Sequence, residues 1–376
     1  MSGTTNLINI STIISVDSIT VQLIPQKKGI ILRHVEYLVK SERFRSEVNR
    51  RYSDFQSLYE LLLQRFPYRI VPKLPPAKLM AKVAGVDSDT IDQRRKALTR
   101  WLSIVTSHPA FSMDLMIKFF LTDISNDFAN YLKDQFRHLP DEFMLNEDGP
   151  RARDVATPGL RASVMAYRTK MSSLLEVLHH LGTLFGSMVR RQGQTATDID
   201  QLSKEFALLS NSDVSPTSEW TRIKEQMYSA SKQFSLLGKK YAVLEHAEDD
   251  DCLQKVLLLL DVLNGFEDLS QRHEKGLAQD QKRGMEKLGM IKRRDTRGVL
   301  AVNSTWREQI EQRIGEHEIV LSDLESRQAF ALLCINEETK LCLLYFEILG
   351  NLLESLSSLE NKHLSEISTL WANLIK

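Results

Sequence analysis

The stretch Arg50-Arg51-Tyr52-Ser53-Asp54-Phe55 marks the point where a β-like pattern gives way to helical spacing. Its two adjacent guanidinium groups offer planar forks of donors that suit phosphate oxygens. The tyrosine ring beside them offers an aromatic face on which a sugar-like ring can rest. Taken alone, the stretch fits a salt-bridged arginine pair at a strand end equally well, so its meaning depends on the sequence around it.

Charge is unevenly distributed along this chain of 376 residues, although the formal net charge is zero. Residues 1–122 carry 18 Lys and Arg against 10 Asp and Glu, whereas the remainder carries 31 against 39. A basic N-terminal part points to an anionic partner for that part alone. The content of 42% hydrophobic and 26% charged residues is that of a folded soluble protein, and the length predicts two or three domains.

The cysteines and the apolar runs bear on cellular location. Cys252, Cys334 and Cys342 are scattered and lack the spacing of a zinc site or a disulfide framework, which fits a reducing cytosol. A polar stretch follows Met1, so no secretory signal is visible. The densest apolar run, 256–260, is far shorter than the ~20 residues of a membrane span. We therefore expect any contact with a membrane to be peripheral.

Strand patterns occur at 19–24, 30–39 and 44–52, and their short connections predict an antiparallel meander. Helical spacing follows, with one apolar face formed by Phe55, Leu58, Leu62 and Phe66. A second amphipathic helix covers 91–102. Its inward residues are predicted to be Ile91, Leu98, Trp101 and Leu102, and its polar-side residues to be Arg94, Arg95, Lys96 and Arg100.

A proline-rich loop lies between these two helices. Pro72, Pro75 and Pro76 predict a stiff, extended path. Behind them, lysines alternate with apolar residues, namely Lys78 and Lys82 with Leu79, Met80 and Val83. The apolar side chains either cap the core of a small domain or dip into a bilayer while the lysines meet lipid head groups.

These three elements together, with a helix ending before His108-Pro109, resemble a phox-homology (PX) domain over about residues 15–122. The resemblance implies an α+β fold, a three-stranded antiparallel sheet plus helices, that binds phosphatidylinositol 3-phosphate. It implies that Arg51 binds the 3-phosphate, that Tyr52 stacks on the inositol ring and that Arg94 contacts the inositol hydroxyls. It also places Lys78 at the 1-phosphate. Because the loop has one residue more before this lysine than the family's usual pattern, Lys73 is the alternative.

The other cations of this region are expected to have solvated or structural roles. They are Arg50, Arg95 and Arg100.

Residues 123–157 are interpreted as a linker, in which the helical spacing of Phe128, Tyr131, Leu132 and Phe136 predicts a short amphipathic helix. Residues 158–376 lack strand patterns and predict three long helices, at about 158–209, 215–296 and 304–376. Ser215-Pro216 supplies an N-cap followed by proline at the first helical position. Helices of this length predict an elongated antiparallel bundle that buries part of its apolar surface through dimerisation.

Positive charge concentrates near the end of the second long helix. The residues are Lys282, Arg283, Lys287, Lys292, Arg293, Arg294 and Arg297. They form either a solvated helix face or a surface that meets anionic lipid.

Three long helices after a PX domain resemble a BAR domain, and the whole chain resembles the PX-BAR sorting nexins. The motifs at 24–29, 33–37 and 271–276 are most similar to the sorting-nexin-8 type and its yeast vacuolar-sorting counterpart. The resemblance implies a cytoplasmic protein, peripheral on the cytosolic face of endosomes, that self-associates as a dimer or higher oligomer. It implies curvature sensing or generation for cargo sorting, recycling and endosome-to-Golgi or vacuolar transport, with coat proteins and cargo as further partners.

Catalytic motifs are missing from the sequence: it contains no P-loop, no GxSxG and no HExxH. We therefore expect no enzymatic activity, no cofactor, no bound metal and no nucleic-acid partner. Asp249-Asp250-Asp251 is expected to be a solvated kink or helix junction rather than a cation site. Two alternatives stay open, a lipid-targeted protein scaffold without membrane-remodelling activity and a PX-targeted lipid-modifying enzyme.

Overall fold

The computed structural model describes residues 17–24, 35–76, 88–147, 149, 151–212, 217–298 and 304–374. The chain divides into two compact units, Met1–Leu174 with Asp261–Tyr345, and Leu175–Leu260 with Phe346–Lys376. These units differ from the domain limits inferred from the sequence (15–122, 123–157 and 158–376), which remain predictions.

The secondary structure follows the predicted order, with strands first and long helices last. The strands are β1 (Ile19–Leu23), β2 (Glu36–Ser41) and β3 (Ser46–Arg51). The shorter helices are α1 (Tyr52–Arg65), α2 (Ser88–Ser107), α3 (Leu115–Thr122), α4 (Phe128–Phe136), α5 (Glu142–Leu145) and α6 (Ala152–Val155). The later helices are α7 (Pro158–Ser210), α8 (Ser218–Glu248), α9 (Gln254–Arg272), α10 (Gln279–Gly298), α11 (Ser304–Tyr345) and α12 (Glu347–Asn373).

The three predicted helical segments of the C-terminal region are confirmed, with interruptions that the sequence did not predict. Two π-helical turns, Asp249–Leu253 and His273–Ala278, separate α8 from α9 and α9 from α10. The predicted cap Ser215-Pro216 lies outside the described residues. The described part of α8 is capped by Thr217, whose hydroxyl accepts a hydrogen bond from the Trp220 amide at 3.3 Å.

The sheet is the predicted antiparallel meander, in the order β1-β2-β3. Val39 of β2 lies opposite Val21 and Val48, and all three are buried because alternate residues of a strand face the core. The predicted inner face of α1 is also confirmed. Its Phe55 ring meets the ring of Trp101 edge-on at 6.1 Å between centroids.

Arg50 has the structural role that the sequence analysis allowed for it. Its buried guanidinium donates to the carbonyl of Phe120 at 2.6 and 2.9 Å and to that of Asp123 at 2.6 Å. It also lies over the ring of Phe128, at 3.6 Å from the centroid. Burial lowers the pKa of Arg50 to about 10. This one side chain therefore ties β3 to the end of α3 and the start of α4.

The helix predicted within 123–157 corresponds to α4, which packs on α1 and α3. Its residues Phe128 and Leu132 are buried in the same core as the sheet, whereas Tyr131 is partly exposed. Helix α4 therefore packs against the same core as the sheet and α1.

A buried carboxylate joins this core to α11 within the first unit. Glu338 is 1% exposed and accepts hydrogen bonds from the Ile70 amide at 3.2 Å and from Arg69 at 3.2 Å. His108 Nε2 lies 2.9 Å from the same carboxylate. Burial opposes ionisation of Glu338, but the interactions with His108, Arg69 and the Ile70 amide together outweigh it, and the net effect lowers the pKa of the carboxyl group.

Helix α9 also packs against the segment around Arg69 and Ile70. Arg272 donates to the carbonyls of Pro67 at 2.7 Å and Arg69 at 3.0 Å. At Gly265, a Cβ atom would lie 2.8 Å from Ile70 Cγ2, so only glycine fits there without a shift. The residues preceding the proline-rich loop are therefore held directly against helix α9.

The second unit has its own apolar cluster, formed by helices α7, α8 and α12. Phe234 stacks on Phe206 at 5.2 Å between ring centroids and meets Trp371 edge-on at 6.0 Å. In the π-helical turn Asp249–Leu253, Asp250 and Asp251 are exposed, which agrees with the predicted helix junction. The described residues include no group of three or more His, Cys, Asp or Glu side chains that could hold a metal ion.

One helical stretch is long and apolar enough to pass a simple test for a membrane span. It lies within Glu311–Asn373, where an 18-residue window has a mean hydropathy of 1.2, and 28% of that window is buried. Charged residues interrupt the stretch, which is why no continuous apolar run pointed to it. Core helices of soluble proteins meet the same criterion, so the stretch is weak evidence for a span.

We predict that Glu338→Ala destabilises the protein by about 3–5 kcal/mol, because it leaves the Ile70 amide and the buried His108 ring without their carboxylate partner and removes one of the two carboxylates that Arg69 contacts. Urea unfolding followed by tryptophan fluorescence measures this loss. Glu337→Ala is the matched control, since the exposed Glu337 pairs with the exposed Lys340, and we expect it to cost less than about 1 kcal/mol. Equal losses from both variants would contradict the role given to Glu338.

We also predict a pH dependence that originates at Glu248, which is 2% exposed. Burial raises its pKa to about 7 from the usual 4.5, with the neighbouring Glu360 carboxyl group acting in the same direction. The native state therefore loses stability as the pH rises from 4.5 through about 7, because the folded protein must release a proton that it holds more tightly than the unfolded chain.

Glu248→Gln imitates the protonated side chain and should remove most of this loss. We expect the variant to exceed the parent protein in stability at pH 8 and to match it near pH 5, in thermal unfolding at both values. Glu354→Gln, at an exposed position of α12, should leave the profile unchanged. A parallel pH profile for the Glu248 variant and its parent would refute the assignment.

Candidate functional site

Arg51 occupies the junction between β3 and α1 that the sequence marked. Its backbone is extended, with φ −94° and ψ 163°, and its amide donates to Asp54 Oδ2 at 2.7 Å. Burial raises the pKa of the Asp54 carboxyl group, and this hydrogen bond with the charges of Arg50 and Arg51 opposes the rise. The first turn of α1 thereby fixes the direction in which the Arg51 side chain leaves the strand.

The Arg51 guanidinium lies at the surface, in contrast to its neighbour Arg50. Its side chain is 52% exposed and lies 3.2 Å from Glu36 Oε1, across the β2–β3 pairing. One carboxylate cannot occupy all five N–H donors of a guanidinium. Arg51 therefore keeps donors that can reach a further anion.

Tyr52 and Arg94 form the second part of the site. The Tyr52 hydroxyl donates to the carbonyl of Pro75 at 2.6 Å, which holds the ring against the proline-rich loop. The Arg94 guanidinium lies over this ring, with its Cζ 4.2 Å from the centroid. The structure thus brings three of the four predicted ligand residues to one corner of the fold, because Tyr52 is next to Arg51 in sequence and in contact with Arg94.

Arg94 departs from the prediction that it lies on the polar side of its helix. Only 5% of it is exposed, and none of its three guanidinium nitrogens has a hydrogen-bond partner in the described structure. Buried cationic donors are almost always paired in folded proteins, because leaving them unpaired is costly. An unpaired guanidinium stacked on a tyrosine has free donors for a ligand with hydroxyl or anionic oxygens.

A sequence signal for this burial exists. Arg94 precedes Leu98 by four residues and Trp101 by seven, and both of these are buried in the core. The spacing places Arg94 on the inward stripe of the helix rather than opposite it. Its charge alone led to the polar-side assignment.

Of the two candidate lysines of the proline-rich loop, the structure describes only Lys73. Lys73, the alternative to Lys78, forms an ion pair of 3.1 Å with Asp268 of α9 and so has a protein partner. Lys78 itself lies outside the described residues, as do the predicted membrane-insertion residues Leu79, Met80 and Val83.

Arg95 and Arg100 have protein partners, which agrees with a structural role for each. Arg95 pairs with Asp92 at 2.7 Å, and Arg100 pairs with Asp261 at 2.9 Å.

A cavity of about 350 Å³ lies on the other side of Arg51 and does not include Tyr52 or Arg94. Its lining contains four carboxylates, those of Glu36, Glu47, Asp54 and Asp127. These carboxylates outnumber the two arginines in the lining, Arg50 and Arg51, so this cavity is poorly suited to an anionic ligand.

The predicted basic patch lies on α10. Lys282, Arg283, Lys287 and Arg293 are exposed, and the exposed Lys292 pairs with Glu318 of α11 at 2.7 Å. Arg294 and Arg297 belong to the same helix, but their side chains are outside the described part of the structure. The helix therefore presents several cations to solvent.

The chain is similar to known proteins over most of its length. The family model of the PX domain matches residues 38–123. Bovine sorting nexin-8 is 35% identical over 367 residues, which cover 95% of this chain and 79% of that protein. Human sorting nexin-8 is 33% identical over 371 residues, covering 95% and 78%. Sorting nexin MVP1 of Mycosarcoma maydis is 32% identical over 199 residues, covering 52% and 29%.

A solved structure has the same fold over almost the whole chain. It is the cryo-EM structure of the SNX-BAR Mvp1 tetramer, which matches with a TM-score of 0.71 and 20% identity over 95% of this chain and 100% of that one. At this identity the match concerns the fold alone.

We predict that Arg94→Met stabilises the ligand-free protein by about 1 kcal/mol. The change removes a buried charge without hydrogen bonds, and this gain exceeds the cation–π attraction to Tyr52 that is lost. Urea unfolding measures the difference. Arg95→Met is the control, because Arg95 is paired with Asp92, and it should be neutral or slightly destabilising. A clear loss of stability in the Arg94 variant would show that this guanidinium is satisfied.

Proposed function

Because the chain belongs to the sorting nexin-8 family, which combines a PX domain with a BAR architecture and acts in membrane-associated trafficking, we propose that it binds phosphatidylinositol 3-phosphate. The proposed site consists of Arg51, Tyr52 and Arg94, with Lys78 as a further cation. The single observation that carries the proposal is the unpaired, buried guanidinium of Arg94 against the Tyr52 ring.

Each residue of the proposed site has a separate chemical task. Arg51 provides an exposed fork for the 3-phosphate, and its contact with Glu36 sets the orientation of that fork. Tyr52 offers its ring to the inositol, while its hydroxyl is already bound to Pro75. The Arg94 guanidinium, which lies against the Tyr52 ring, donates hydrogen bonds to the inositol hydroxyls, and the lipid thereby supplies the acceptors that the protein lacks. The ligand thus relieves a cost that the ligand-free protein carries.

The wider function follows as part of the same proposal. The protein acts on the cytosolic face of endosomal membranes in cargo sorting and recycling, including endosome-to-Golgi or vacuolar transport. It self-associates through its helical region and senses or generates curvature, with sorting or coat proteins and cargo as partners. Its relatives are trafficking proteins and not known enzymes, and we propose the same for this chain, as a protein that works by binding.

Arg51→Ala should reduce binding to phosphatidylcholine vesicles containing phosphatidylinositol 3-phosphate by at least roughly tenfold, because a bidentate charge-assisted contact is lost. Co-sedimentation against vesicles with unphosphorylated phosphatidylinositol measures the effect. Lys118→Ala removes an exposed cation from the same part of the fold and should leave binding nearly unchanged. Equal binding by the Arg51 variant and its parent would overturn the proposed site and favour the scaffold alternative.

Reversing the charges on α10 tests the curvature part of the proposal. Lys292→Glu, Arg293→Glu and Arg294→Glu in one variant should reduce tubulation of vesicles that contain phosphatidylserine, while isothermal titration with a soluble inositol 3-phosphate head group stays unchanged. Electron microscopy counts the tubules. A control with Lys170→Glu, Lys204→Glu and Lys340→Glu makes the same change in net charge elsewhere. If both variants tubulate alike, α10 has no special role.

A further inference from the structure

The motif Gln271-Arg272-His273-Glu274-Lys275-Gly276 is not used by the proposed function. Arg272 holds the segment before the proline-rich loop, but the next residues form the π-helical turn His273–Ala278. Such turns interrupt the regular hydrogen bonding of a helix and are frequent at functional sites.

A cavity of about 120 Å³ lies between this turn, the first turns of α7 and the middle of α11, all within the first unit. Its volume suits a few water molecules or one tetrahedral oxyanion, and it is far too small for a nucleotide-sized ligand. Its polar and charged lining consists of Arg161, Arg168, Ser270, His273, Glu274 and Gln328.

Two buried polar atoms in the lining have no hydrogen-bond partner in the described structure. They are Gln328 Oε1, on a side chain that is 7% exposed, and His273 Nε2. Buried polar atoms without partners are rare and indicate a missing water or ligand. A glutamine amide can turn either its oxygen or its NH₂ group toward a ligand, and a neutral imidazole can carry its proton on either nitrogen. Both side chains can therefore serve as donors to an anion.

The charge around the cavity is positive. Arg161 and Arg168 are seven residues apart on α7 and so lie on one face of the helix. Arg168 donates to Glu274 at 2.6 Å, and Arg161 is exposed. Burial, followed by the charge of Arg161, lowers the pKa of His273, and the charge of Arg168 acts in the same direction against an opposing interaction with the neighbouring Gln328 side chain. Both guanidinium groups therefore lie near the imidazole. Two cations and one carboxylate disfavour a metal ion and favour an anion.

We propose that this cavity binds a phosphate-type oxyanion, held by Arg161 and Arg168 from one side and by His273 and Gln328 from the other. The anion is either free phosphate or the phosphomonoester of a lipid head group, since both present the same oxygens. This site is separate from the one at Arg51 and does not depend on the proposed recognition of phosphatidylinositol 3-phosphate.

Isothermal titration with inorganic phosphate at constant ionic strength tests the site, in the full chain carrying Arg51→Ala so that the other candidate phosphate site is disabled. We expect binding that Arg161→Ala weakens roughly tenfold, because one charge-assisted contact is lost. Arg161→Lys keeps the charge without the fork and should give an intermediate loss. Arg190→Ala removes an exposed arginine of the same helix away from the cavity and should change nothing.

Vesicles distinguish the two sources of the anion. Phosphatidylcholine vesicles with phosphatidic acid expose a phosphomonoester, and vesicles with phosphatidylserine provide negative charge without one. If retention on the phosphatidic acid vesicles depends on Arg161, the ligand is a lipid head group; if only the titration does, it is free phosphate. Because Arg161 is exposed, its substitution leaves the core intact. Identical behaviour of the Arg161 and Arg190 variants in both measurements overturns the proposal.

Discussion

The buried carboxylate of Glu338 is the interaction on which the first unit depends. It lies in α11, yet it receives the Ile70 amide, the Arg69 guanidinium and the His108 ring from the N-terminal core. A buried carboxylate costs several kcal/mol unless such partners surround it. The chain therefore gains this stability only when residues 69–70 and 108 lie at defined positions against α11. Arg69 also contacts Glu142, so the same network includes α5.

Adjacent residues of one strand show how strongly position outweighs residue type. Arg50 and Arg51 have the same side chain, but the alternation of a β-strand directs the first into the core and the second to the surface. The Arg50 guanidinium donates its hydrogen bonds to backbone carbonyls, whereas the Arg51 guanidinium has donors available for an anion. In the sequence, the resemblance to a PX domain, rather than the local pattern, assigned Arg51 to the ligand and left Arg50 a solvated or structural role.

Periodic patterns also explain what else was predictable. The meander, the apolar face of α1 and the three long helical segments follow from local spacing, and the structure confirms them. Arg94 was misplaced because its charge was given more weight than its spacing from Leu98 and Trp101. The Glu338 contacts join residues that are 230 and more positions apart, and no single sequence reveals such a pairing. The π-helical turns likewise have no distinct local pattern.

The Arg94 guanidinium and the Glu338 network have opposite energetic roles that complement each other. Burial of the unpaired Arg94 guanidinium lowers the stability of the ligand-free protein, and well-paired contacts elsewhere in the fold must offset this loss. Glu338 belongs to the contacts that do so, and its unit also contains α10 with its exposed cations. The proposed head-group site and the cationic helix α10 lie in one compact unit, so a flexible linker does not have to bring them together. Under the proposed function, two individually weak membrane contacts then act at high effective concentration.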